Sequence, residues 1–138
     1  MTPTTWLDAK APTLEDFEAL AAEAYSGLPD GFRRLTGEIL IRIADFPEDD
    51  ALDALELESP FDLLGLFQGV GLAQGSAVPS TGQLPNQIWL YRRPILDYWA
   101  EHDETLGAII AHVLIHEIGH HFGLSDDDME AIEAAADA

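Results

Sequence analysis

The chain contains no cysteine. Disulfides, thiolate metal ligands and a cysteine nucleophile are excluded together, and an intracellular compartment is the expectation. Positive charge is scarce as well. Six Lys and Arg stand against 26 Asp and Glu, a formal net charge of -20. Such a surface repels phosphate backbones and anionic membranes, so neither nucleic acid nor membrane is expected as a partner. Most of these acidic groups are explained as a solvated face, although their field also concentrates cations around any metal site. No apolar run approaches the length of a membrane span. The opening MTPTTWLDAKAPT has one lysine and no apolar core, unlike a secretory signal, so the expected location is cytoplasmic.

What is present suits one folded unit. The 138 residues are 47% hydrophobic, enough for a core, and no internal repeat or domain boundary is visible. A single domain over 1–138 is expected, with residues 1–12 as a flexible N-terminal segment. TLED at Thr13 carries the cap and acidic first turn of a helix that SGLPDG ends. A short helical turn follows around residues 32–35. EILIRIADF (38–46) alternates as a strand, and EDDALDALEL (48–57) reads as an amphipathic helix. LLGLFQGVGL (63–72) is too glycine-rich for a helix and suits a short strand. AQGSAVPSTGQLPN (73–86) is a surface loop, QIWLYR (87–92) a further strand, and Pro94 opens another helix. A last long helix runs over about 105–122 and Gly123 ends it. This mixed order predicts an α+β domain around one small sheet.

Four of the five histidines fall within HVLIHEIGHHFGLSDDD, residues 112–128. In HEIGH, His116 and His120 are four apart, roughly 40° of rotation and about 6 Å of rise on a helix, so both imidazoles leave one face. Two neutral imidazoles held that way can chelate one zinc ion. Glu117 points to the side of the pair, where it can take a proton from water at the metal and pass it to a leaving amine. Zinc also needs a third protein ligand and an open fourth position. Gly123 can take the left-handed conformation that redirects the chain, allowing Asp126 to return to the same ion. Asp126 has a second explanation: with Asp127 and Asp128 it suits the first turn of a helix capped by Ser125. His112, one step of four further along the face, is expected as a solvent-exposed histidine. His121 points away and is expected to be partly buried with a hydrogen-bonded ring. Neither is counted as a ligand.

VLIHEIGHHFGLSDDDME resembles the aspartate-ligated zincins, in which aspartate replaces the third histidine of the metzincins. More closely, it is similar to the small bacterial zincin-like metallopeptidase family of single minimal domains. LLGLFQGV and IWLYRRPIL look like that family's segments upstream of the active-site helix, so the resemblance covers roughly residues 28–132. It implies a minimal zincin-like domain, with a small mixed sheet packed on the active-site helix. It further implies one zinc per chain on His116, His120 and Asp126, Glu117 as general base, and a peptide or protein substrate. Residues 66–69 are the candidate edge strand for pairing with an extended peptide; a purely structural edge is the other reading. Only 12 residues follow Asp126, and Met129 stands too close to it to form the methionine turn of larger metzincins. Tyr91 and Tyr98 are open as oxyanion stabilisers, with packing or surface roles as the alternative. The competing functions are a non-catalytic metal-binding or interaction domain, and a peptidase active only with a partner. Homo-oligomerisation is not readable from the sequence.

Overall fold

A computed structural model of the chain describes residues 4–69 and 86–137. Within the N-terminal segment, residues 4–7 form one helical turn, α1 (Thr4–Leu7). Helix α2 (Leu14–Ser26) starts where it does because Thr13 and Asp16 cap reciprocally. Thr13 Oγ1 accepts from the Asp16 amide at 3.0 Å, and the Asp16 carboxylate accepts from the Thr13 amide at 2.8 Å. After the turn α3 (Asp30–Arg33) come strand β1 (Ile39–Ala44) and helix α4 (Asp49–Ala54). The helix expected over 48–57 is shorter because Glu56 adopts φ +58, and the Leu57 amide closes back on the Leu52 carbonyl at 2.9 Å.

A 3-10 turn over Pro60–Asp62 leads into strand β2 (Gly65–Gln68), and strand β3 (Asn86–Tyr91) passes directly into helix α5 (Arg92–Glu101). The loop expected over 73–86 lies, up to residue 85, outside the described residues. Helix α6 (Leu106–His121) begins where Thr105 Oγ1 accepts from the Ala108 amide, and helix α7 (Asp126–Asp137) is the last described element.

The three strands are ordered β1-β3-β2. β1 runs parallel to β3, with Ile41 opposite Ile88, and β2 runs antiparallel to it, with Phe67 opposite Ile88. This is the small mixed sheet of an α+β domain. One face is apolar: Phe67, Ile88 and Leu90 are buried there with Ile109, Ile110, Leu114 and Ile118 of α6 and Phe17 of α2. The row Arg42, Trp89 and Leu66 occupies the other face, where the Arg42 guanidinium sits 5.6 Å from the Trp89 ring. Helix α6 therefore lies beneath the sheet and touches α2, α5, α7, β2 and β3. Such enclosure demands a helix that is apolar over most of its circumference. Its few polar side chains are consequently conspicuous. No described helix is long and apolar enough to cross a membrane.

Candidate active site

Eight residues of α6 are buried, among them Val113, Leu114, Ile115, Ile118 and Gly119. Among the residues left outside that burial is a seam of three histidines at four-residue spacing. The rings of His112 and His116 stack with centroids 4.0 Å apart, and those of His116 and His120 meet nearly edge to face at 5.7 Å. The helical spacing thus brings His116 and His120 to one face, as expected, and it adds His112 to them.

Gly123 decides what faces this seam. Its φ of +77 ends α6, with the Leu124 amide bonded to the Gly119 carbonyl at 2.9 Å. Ser125 then caps α7, its Oγ accepting from the Asp128 amide at 3.1 Å. The returning helix packs closely. Met129 is fully buried, and a Cβ placed at Gly119 would lie 2.5 Å from its sulfur. Met129 is therefore a wedge between two helices, set against the histidine-bearing one.

Asp126 occupies the exposed first position of α7, in the acidic turn that Ser125 caps. Its carboxylate is not gathered with His116 and His120 into a three-ligand group; α7 brings a different acid to the seam. Glu133 Oε1 lies 2.7 Å from His116 Nε2 and 2.9 Å from His112 Nδ1. Among the described residues, His112, His116 and Glu133 are the one group whose ligand atoms all lie within 4.8 Å of one another. This group could hold a metal ion. Imidazole nitrogen with carboxylate oxygen, and no thiolate, is a donor set that zinc accepts. His112 had a signal in the sequence, its place four residues before His116. Glu133 had only its spacing of seven from Asp126, which puts both on one helical face but also suits any surface acid.

Glu117 leaves α6 toward the sheet. It is partly buried beneath β2, and a Cβ at Gly65 would lie 3.4 Å from its Cγ, 2.7 Å from Val113 Cγ1 and 3.0 Å from the Trp89 carbonyl. The bare glycine leaves the room into which the Val113 and Glu117 side chains pack. Burial disfavours the charged form and pushes the Glu117 pKa up to about 7. Gly65→Ala is expected to lose roughly 1–3 kcal/mol of stability, because backbone and a packed valine leave the methyl no space. Urea denaturation checks this, and an undiminished midpoint would mean that the strand simply shifts outward.

Tyr91 is buried, and its hydroxyl is pushed up to about 12, first by burial and then by the negative charges of Glu48 and Glu117. It stays a proton donor within electrostatic reach of Glu117. Tyr98 is absorbed within α5, stacked on His102 at 3.8 Å. Among the described residues the hydrogen bond expected for His121 is not made: its ring packs 4.3 Å from that of Phe67, and its buried Nε2 finds no hydrogen-bond partner there. Burial lowers its pKa, so the neutral ring is the form that apolar packing favours. Among the described strands β2 pairs only with β3, at one side of the sheet, and it lies against α6.

No curated protein matches the chain. The family model described as zincin-like metallopeptidase matches residues 36–136, from just before β1 to near the end of α7. Every element of the site lies inside that span, and the chain belongs to the zincin-like metallopeptidase family.

Proposed function

We propose that this protein is a zinc-dependent peptidase in which His116 and His120 hold the ion and Glu117 is the general base; Asp126, which stands exposed at the start of α7 and apart from the histidine pair, is the third ligand that the family resemblance implies. The observation that carries the reading is Glu117. A carboxyl packed under the edge strand beside a histidine pair, with its pKa near neutrality, suits proton transfer, whereas a purely structural zinc site needs no base. Bound zinc would supply Lewis acidity, activating water and polarising the scissile carbonyl.

The chain's own groups do the rest. An extended peptide or protein substrate pairs along the β2 side of the sheet, which keeps its carbonyl at a constant height over α6. Glu117 accepts the proton of the attacking water, holds it in a site that tolerates the neutral acid, and delivers it to the departing amine. The neutral Tyr91 hydroxyl is the nearby donor for the oxygen on which negative charge develops.

A chelator is expected to abolish peptide hydrolysis and added zinc to restore it, with about one zinc per chain by elemental analysis and none in His116→Ala. Hydrolysis that survives complete removal of metal would eliminate the zinc mechanism. Stoichiometric zinc without cleavage of any peptide in a diverse library would instead favour a non-catalytic metal-binding domain.

A further inference from the structure

We propose that His112, His116 and Glu133 form a second seat for a divalent transition-metal ion, overlapping the catalytic one and exclusive with it through His116. The proposal rests on the reading above insofar as His116 belongs to the catalytic pair. Its own support is geometric. Two imidazole nitrogens from successive turns of α6 converge on a single oxygen of Glu133, at 2.9 Å from His112 and 2.7 Å from His116. Ligand atoms around a tetrahedral zinc stand roughly 3.3 Å apart, so the two nitrogen–oxygen distances each widen by about half an ångström to admit an ion. The stacked rings of His112 and His116 share one approach to solvent, and the three side chains are 51%, 25% and 31% exposed. That leaves an ion a path in and a water a place in its shell.

The fold, rather than chance, brings Glu133 there. Met129, one turn earlier on α7, is wedged against Gly119 and fixes how the two helices meet. Asp126 and Glu133 are seven residues apart, within roughly 20° of the same helical face. Of the two carboxylates on that face, Glu133 is the one that meets the histidine seam. A neutral imidazole has one lone-pair nitrogen, so His116 serves one ion at a time. An ion between His112 and Glu133 sits a helical turn away from His120. Zinc at this seat holds the protein in a loaded form lacking the His116–His120 pair on which turnover depends.

The test uses the full-length protein, stripped of metal and titrated with Co2+ while its visible absorption is followed. His120→Ala, at an exposed position, dismantles the catalytic pair. It is expected still to take up one Co2+ per chain, and adding Glu133→Gln or His112→Ala is expected to weaken that binding at least tenfold. Thermal melts verify folding, and His120→Asn replaces the alanine variant if needed. No Co2+ uptake by the His120 variant, or uptake indifferent to Glu133 and His112, would show a simple hydrogen-bonded cluster and overturn the proposal. The outcomes separate the two readings. If zinc-loaded wild type cleaves peptide while the His120 variant binds nothing, the second seat falls alone. If the His120 variant binds as expected while zinc-loaded wild type cleaves nothing, the peptidase reading falls alone.

Discussion

Glu117→Gln is expected to keep its zinc and to lose roughly 10²–10⁴-fold in kcat, the range that general base catalysis supplies. Glutamine has the shape of glutamate, so it fills the same space under Gly65 and against Val113, and the helix that carries His116 and His120 need not move. It has no basic oxygen for the proton of the attacking water. The loss should fall on kcat with little change in KM, because the proton is transferred in the transition state and not in the ground-state complex. Steady-state kinetics with elemental analysis on the same sample check both halves. A variant that retains zinc and turns over within threefold of wild type would remove Glu117 from the mechanism.

The same substitution should stabilise the metal-stripped protein at neutral and alkaline pH. Burial holds the Glu117 pKa at about 7, against an ordinary value of 4.5. Below 4.5 the group is protonated in both folded and unfolded chains and contributes nothing. Between 4.5 and about 7 the folded state binds more protons than the unfolded state, so this contribution to stability falls as pH rises. Above 7 the charged carboxylate is buried at a cost of roughly 3 kcal/mol. Glutamine removes that cost, so the variant should exceed wild type by roughly this amount at pH 8 and by almost nothing at pH 4. His121, whose pKa burial lowers, contributes a slope of opposite sign, present equally in both proteins and cancelled in their difference. Urea unfolding of both proteins at the two pH values checks it. An identical difference at pH 4 and pH 8 would mean that Glu117 is effectively solvated.

Much of the fold was legible from local chemistry. Thr13 and Asp16 announce the start of α2, the alternation of Ile39, Ile41 and Ile43 announces β1, and Gly123 announces the end of α6, because caps, pleats and left-handed turns act over four or five residues. The shortening of α4 was hidden, since Glu56 at φ +58 is a conformation that its residue type does not advertise.

The site divides along the same line. The sequence by itself determined that His116 and His120 share a face with Glu117 beside them, because the α-helical repeat makes a spacing of four a geometric statement. It also determined the turn at Gly123, and with it the possibility that an acid from the next helix returns to the seam. Only the tertiary structure decided that Glu117 lies under a strand with its pKa near 7, that Met129 wedges α7 against Gly119, and that Glu133 meets His112 and His116. Burial and helix-to-helix contact depend on which surfaces of distant segments pack together. That choice is made by the whole core, and no stretch of seventeen residues contains it.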